Sequence, residues 1–272
     1  MKSKTAVLGA TGKTGRRIVQ RLTSMNIPFR AGSRKADIPF DWNNPNGWPP
    51  FFNGIEKVYI SFQPDLAVPG AEEAISNLVA VAKGEGVQHL VLLSGRGEPE
   101  AQACEKLLMQ SGLQWTVIRA SWFMENFSEG FFLDGIQAGH LVLPKVTALE
   151  PFISADDIAD VAVKVLTEEG HNEKNYELTG PELLSFENVV TQIAQATGKH
   201  IAFEEIAMND YVAMLRAYGV PEDFIGLVQY LFTDVLDGRN ESLTGDAEKV
   251  LCRRPTSLEE YIAKTKSAGA WG

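Results

Sequence analysis

The stretch "TAVLGATGKTGRRIVQRL", Thr5 to Leu22, decides the fold. "TAVLGA" is a short apolar run of β character. "KTGRRIVQRLTSM" carries an apolar face at Ile18, Val19 and Leu22, the spacing of a helix. Between them Gly9, Gly12 and Gly15 read Gly-x-x-Gly-x-x-Gly. Glycines here permit a tight strand-to-helix turn and let the backbone approach a pyrophosphate. The helix start then offers free N–H groups at the positive end of its dipole. The spacing is not Gly-x-Gly-x-x-Gly, but the physical demands are the same. A dinucleotide-binding turn is predicted.

Beyond this stretch, strand-like and helix-like runs alternate. "PFRAGSR", "KVYISF", "HLVLLS" and "QWTVIRA" read as further strands. "PGAEEAISNLVAVAKGEG" and "PEAQACEKLLMQSG" read as helices, the first with Pro near its start and Gly after its end. Short apolar strands joined by such helices imply a parallel sheet covered on both faces. "NYELTG" extends the same sheet. "SWFMENFSEGFFLDGIQAG" reads as a helix, "HLVLP" as a strand and "SADDIADVAVKVLTEEG" as a helix capped by Ser154. From Pro181 onward helical segments dominate. The expected architecture is α/β: a Rossmann-type, doubly wound parallel sheet over residues 1–180, with 121–150 contributing to a substrate cleft. A smaller, mainly helical substrate lobe is expected over 181–272.

The end of the second strand chooses between dinucleotides. An acidic residue there would bind the ribose 2′-OH of NAD. The chain has Gly32, Ser33, Arg34 and Lys35 instead, a hydroxyl and two cations suited to a 2′-phosphate. NADP(H) is the expected cofactor, with Asp41 placed to accept from the adenine amino group.

Composition narrows the partners. A formal net charge of -10 argues against nucleic acid or an anionic membrane. Two cysteines without metal-type spacing predict neither a metal site nor a disulfide framework. The opening "MKSKTAVLGATG" lacks the apolar stretch and cleavage site of a signal peptide, and no run of 18 apolar residues occurs. A cytoplasmic location is expected.

"GATGKTG", "GSR", "FDW", "VYISFQP", "LLSG", "SGLQWTVIRASWFMENF", "PFISADDIADVA" and "YELTGPELLSF" together resemble the NmrA-like atypical short-chain dehydrogenase/reductases. The resemblance runs over nearly the whole chain. Within that family, "LLSGRGE" and "SGLQWTVIRASWFMENFSEGFF" are similar to the subset with the festuclavine and agroclavine synthases of ergot alkaloid assembly. The resemblance implies that Gly9, Thr11, Gly12, Lys13 and Thr14 hold the pyrophosphate, and Ser33 and Arg34 the 2′-phosphate. It implies that Phe62, Gln63 and Pro64 flank the adenosine and ribose portions, and that Ser94 and Gly95 lie beside the nicotinamide ribose. Ser121, Trp122, Phe123 and Asn126 would stand at the mouth of the substrate cleft.

The departures from the family are informative. None of the six tyrosines begins a Tyr-x-x-x-Lys. Isoflavone-reductase-like members carry a Lys four residues before a Glu on the helix after the fourth strand. If Glu105 is that Glu, the Lys position is Ala101, and Lys106 lies about 100° further round the helix. Reducing a simple ketone creates an alkoxide that needs a proton or strong donors. A cationic iminium is neutralised by hydride alone, and quinones or cationic dyes spread the new charge. The missing pair thus points to a small aromatic or conjugated electrophile. Ser94 is the one candidate catalytic hydroxyl. Phe123, Phe127 and Phe131, at i, i+4 and i+8, offer one aromatic stripe, with Phe152 a further wall candidate. Two readings stay open: an NADPH-dependent reductase of such an acceptor, and a non-enzymatic NADP(H) sensor of NmrA type acting through a protein partner.

Overall fold

The computed structural model describes residues 4–272; residues 1–3 of the opening stretch lie outside the described residues. The chain divides into two compact units. The first runs to Ala120 and takes up Ala155–Leu178 and Asp246–Arg253; the second comprises Ser121–Ser154, Thr179–Gly245 and Arg254–Gly272.

In chain order the first unit begins β1 (Thr5–Leu8), α1 (Lys13–Ser24), β2 (Phe29–Gly32), α2 (Trp48–Phe52), β3 (Lys57–Ile60) and α3 (Ala71–Gly84). It continues with β4 (His89–Gly95), α4 (Pro99–Met109) and β5 (Gln114–Ala120). The second unit starts with α5 (Leu133–Gln137) and β6 (His140–Pro144). The first resumes with α6 (Ala155–Thr167) and β7 (Lys174–Leu178), and the second with α7 (Phe186–Thr197), β8 (Ala202–Ile206), α8 (Met208–Ala217) and α9 (Glu222–Tyr230). Finally α10 (Asp246–Leu251) belongs to the first and α11 (Leu258–Ser267) to the second.

The six strands of the first unit lie in the order β2-β1-β3-β4-β5-β7, each pair parallel. The strand pattern explains the two covered faces. Ala6, Leu8, Val58, Ile60, Leu90 and Leu92 alternate onto one face, where they pack with Ile75 and Leu78 of α3 and Cys104 and Leu108 of α4. Val7, Tyr59 and Val91 point the other way and are fully buried. On that face α1 and α6 pack together, and the Tyr59 hydroxyl donates to Thr14 Oγ1 of α1 at 2.9 Å. The doubly wound sheet is the expected one.

A single boundary near residue 180 is not how the chain divides. β7 pairs with β5, and α10 packs on α6 and β7, so segments distant in sequence complete the first unit. Ser121–Ser154 belongs wholly to the second. That unit is mainly helical but holds a two-stranded parallel sheet, in which "HLVLP" (β6) pairs with β8, a strand the sequence reading did not identify. Its core is aromatic: Phe127, Phe132, Phe152, Phe186 and Phe232 are all buried. Ser185 and Ser257 start α7 and α11 in capping boxes with Asn188 and Glu260. No helix among the described residues is long and apolar enough to cross a membrane.

Candidate dinucleotide site

The chain enters the sheet at β1 and builds β2 on one side and β3 on the other. The carboxyl ends of β1 and β3 therefore flank the switch point where ligands bind in such sheets. A cleft of about 590 Å³ opens there. Gly9 and Thr11 after β1, Gly32, Ser33 and Arg34 at the end of β2, and Phe62 and Gln63 after β3 line it.

The glycines do what the spacing requires. Gly9 has φ +68°, a left-handed conformation that turns the chain sharply out of β1. A Cβ on Gly15 would sit 2.1 Å from the Gly9 carbonyl oxygen, so only glycine lets α1 pack this close to the turn. The first N–H groups of α1 consequently follow directly on the cleft residues Gly9 and Thr11, with no intrahelical acceptor. Gly12 and Lys13 lie at that helix start. Thr14 is there as well, but its side chain turns inward: it is 2% exposed and its oxygen accepts the Tyr59 proton. Only the Thr14 backbone is left to meet a pyrophosphate.

The other wall joins Asp41 to residues that no motif marks. Asp41 lines the cleft, its Oδ1 accepting the Asn43 N–H at 3.0 Å and its carbonyl accepting Trp48 Nε1–H at 2.7 Å. Trp42 meets Phe62 edge-to-face, with ring centroids 4.8 Å apart. Gly70, Glu73 and Asn77 of the α3 start also line it. Pro69–Gly70 ahead of an apolar helix was the available signal, a second glycine turn at a helix start.

Further along the sheet edge, Ser94 is 4% exposed and donates to Glu105 Oε1 at 2.6 Å. Glu105 is 1% exposed and takes a two-pronged contact from Arg119, at 2.8 Å from Nε and 2.5 Å from Nη2. Arg119 also reaches Glu177, at 3.2 Å, and Arg96 meets Glu177 at 3.3 Å. The Glu105 hydrogen bond holds the Arg119 guanidinium in its charged form, outweighing the cost of burial. The Ser94 hydroxyl thus has a carboxylate partner eleven residues on, which sequence distance hid. Ala101 is fully buried in the apolar core. Gly12, Lys13, Thr14, Pro64, Ser94 and Gly95 are not among the cleft's lining residues.

Two carboxyls escaped the sequence reading. Asp65, after β3, and Glu98, at the start of α4, hydrogen-bond each other. Both are pushed above the usual carboxylate range, first by burial. For Glu98 the negative charge of Asp65 adds to this, and the effect is larger. The signal that could have found them is position: each follows the carboxyl end of one of two adjacent strands.

The proposed substrate residues all fall in the second unit. The helix expected over 121–139 is broken: a 3₁₀ turn covers Met124–Phe127 and α5 starts only at Leu133. Ser128 and Gly130 interrupt it, and the Asn126 carbonyl accepts the Phe132 N–H at 3.2 Å instead. The aromatic stripe therefore does not form: Phe127 is fully buried, whereas Phe131 is 38% exposed. Phe152 is 1% exposed and packs on Phe127 and Phe186, so it is core and not pocket wall. Trp122 stacks on Phe132 and its backbone N–H donates to Glu150 Oε1 at 3.1 Å. Phe123 pairs with Ile153 through the backbone, and Asn126 is half-buried. Ser121 is 2% exposed, with no partner for its Oγ among the described residues.

Comparison with known proteins agrees with this geometry. The family described as NAD(P)H-binding matches residues 9–169. Festuclavine dehydrogenase of Aspergillus fumigatus is 30% identical over 286 residues, covering 96% of this chain and 97% of that protein. Festuclavine synthase I of Penicillium roqueforti is 31% identical over 284 residues, covering 96% and 97%. Three solved structures share the fold. A nucleoside-diphosphate-sugar epimerase of Staphylococcus aureus has TM-score 0.82, 21% identity and coverage of 95% and 99%. Triphenylmethane reductase of Citrobacter sp., complexed with NADP(H), has 0.78, 20%, and 96% and 99%. The NADPH-dependent quinone oxidoreductase QOR2 of Escherichia coli, complexed with NADPH, has 0.78, 22%, and 96% and 99%.

Proposed function

This chain belongs to the NAD(P)H-binding family, and on that premise we propose that it is an NADPH-dependent reductase of a small aromatic or conjugated electrophile. The observation that carries the reading is the cleft at the β1/β3 switch point. Its glycine turn can receive a pyrophosphate, and its β2 end presents Ser33 and Arg34 where an NAD site would present an acid. The bound cofactor supplies the hydride. The residues do the rest. Gly9, Thr11, Gly12 and Lys13 would form the pyrophosphate turn, in which the Gly12 N–H donates to the Gly9 carbonyl at 2.9 Å and Gly12 serves by leaving the approach open. Ser33 and the exposed Arg34 would hold the 2′-phosphate, Asp41 the adenine, and Phe62 and Gln63 the adenosine side.

Ser94 enters as a positioning residue, since its hydroxyl proton goes to Glu105. Ser121, Trp122, Phe123 and Asn126 are the proposed substrate contacts. The absence of Tyr-x-x-x-Lys disfavours sugar epimerisation despite the fold shared with an epimerase. It favours acceptors that need little proton help, the kind named for the triphenylmethane and quinone reductases of the same fold.

The test is an NADPH-oxidation screen over quinones, iminium compounds, cationic dyes and simple ketones. Turnover of any of the first three, with none of ketones, is expected. Steady turnover of ketones alone would sink the acceptor class. Tight NADP(H) binding with no oxidation by any acceptor would favour the sensor.

A further inference from the structure

Quinone reduction at this site needs a proton source. Reducing a carbocationic dye consumes a hydride and nothing else. Reducing a quinone to its hydroquinone consumes a hydride and one proton, and no Tyr/Lys pair supplies it. We propose that the Asp65–Glu98 carboxyl pair is that proton donor, serving the quinone-type members of the acceptor class, whose reduction leaves an oxyanion. The proposal rests on the reductase reading.

Four observations carry it. Asp65 lies two residues beyond Gln63, a cleft residue after β3, and Glu98 lies three beyond Gly95, the last residue of β4. Both therefore sit at the carboxyl edge of adjacent strands, the edge along which such folds bind their dinucleotide. The Glu98 carboxyl is folded back over Gly95: a Cβ there would meet Oε1, Cδ and Oε2 at 2.0, 2.2 and 2.6 Å. Glycine at 95 is what admits it. Glu98 is 7% exposed, and no N–H or O–H among the described residues reaches its Oε2. Finally, the two carboxyls hydrogen-bond each other, and two carboxyls so placed share a proton.

The partition of that proton follows from the surroundings. Asp65 Oδ1 accepts the Ala67 N–H at 2.9 Å, which favours its charged form. Glu98 faces the acidic side chains Asp65, Glu100 and Glu105, which disfavour a second charge. Cys104 nearby faces Glu72, Glu105 and Asp65, and burial pushes its thiol up to about 11, so it stays neutral. Glu98 is then the acid and Asp65 its charged acceptor. In the step, the Glu98 O–H bond breaks as the hydroquinone O–H bond forms, the electron pair stays on the Glu98 carboxylate, and water returns the proton afterwards.

The experiment compares wild type, Glu98→Gln and Asp65→Asn with NADPH and two acceptors, a quinone and a triarylmethyl cation. Infrared spectra at neutral pH are taken alongside. In Glu98→Gln the ratio of quinone to dye turnover should fall on the order of 100-fold, the range of a positioned general acid. Asp65→Asn, which removes the charged partner, should lower the same ratio. The wild-type spectrum should show a protonated-carboxyl carbonyl band that Glu98→Gln loses. A wild type that reduces neither acceptor overturns the reductase reading, and the donor role with it. Reduction of both acceptors with an unchanged ratio in Glu98→Gln overturns the donor role alone. So does the absence of the carbonyl band from wild type, whatever the turnover.

Discussion

Arg34 is one exposed side chain on the rim of the cleft, and its charge has a single proposed use. A charge-assisted hydrogen bond to a phosphate contributes about 2 kcal/mol, which is roughly 30-fold in affinity. Arg34→Ala should therefore weaken NADPH about 30-fold and leave NADH nearly unaffected, read by fluorescence titration of both. Equal losses would refute the 2′-phosphate assignment. Ser94 and Glu105 illustrate a different residue-scale logic. Glu105 is buried between a hydroxyl and a guanidinium, so Glu105→Ala strands the Arg119 charge with Glu177 alone. The expected loss is about 3 kcal/mol of unfolding free energy in urea, the low end for breaking a buried pair. Ser94→Ala removes one neutral donor and should cost about 1 kcal/mol. If both variants lost the same amount, the carboxylate–guanidinium contact would not be the anchor.

At the scale of elements, the glycine turn joins β1 to α1 at a distance no other residue allows. In Gly15→Ala the new methyl would overlap the Gly9 carbonyl, forcing α1 away from the turn. Overpacking of this kind costs roughly 1–3 kcal/mol, and the displaced helix start should also lose NADPH. A variant that kept wild-type affinity in titration would show that the helix N-terminus is not the pyrophosphate site. This turn was fully legible in sequence because its requirements are local: a strand, three glycines and a helix within twenty residues. The alternation of strands and helices was legible for the same reason. What was not legible depends on contacts between distant residues. β8 reads poorly because "AFEEI" has a polar half and pairs only with β6. The run from Trp122 to Phe132 has helical spacing, yet the aromatic core of its unit takes Phe127, Phe132 and Phe152 together and bends the chain to do so. Glu98 and Asp65 are 33 positions apart in sequence and meet only because β3 and β4 are neighbours. Thr14 matched its motif, but Tyr59 claims its hydroxyl from the next strand over.

At the scale of the whole molecule, two buried titrations in the first unit pull stability in opposite directions with pH. His89 is 4% exposed, and burial pushes its imidazole down to about 4. Its Nε2 lies 2.8 Å from Thr116 Oγ1, whose own proton goes to the His171 carbonyl at 2.6 Å, so the neutral ring donates from Nε2. The unfolded chain takes up a proton near pH 6.5 that the folded chain refuses until about pH 4. Stability therefore falls as pH drops through that window, by up to about 2–3 kcal/mol. The Asp65–Glu98 pair has the reverse sign. Its carboxyls are raised, so the folded protein holds a proton that the unfolded chain gives up near pH 4. That contribution is complete below the ordinary carboxylate range and is lost as pH rises toward the folded value. Above about pH 4 the two slopes oppose each other, the carboxyl pair lowering stability as it ionises in the folded chain while the histidine raises it up to about pH 6.5. Urea midpoints measured across this range should separate them. His89→Gln keeps the donor to Thr116 without the titration, and should remove the acid-side loss. Glu98→Gln should remove the decline that begins above the ordinary carboxylate range and become more stable than wild type at alkaline pH. A wild type whose stability does not decline relative to Glu98→Gln as pH rises above the ordinary carboxylate range would mean that Glu98 ionises in the folded chain as it does in water.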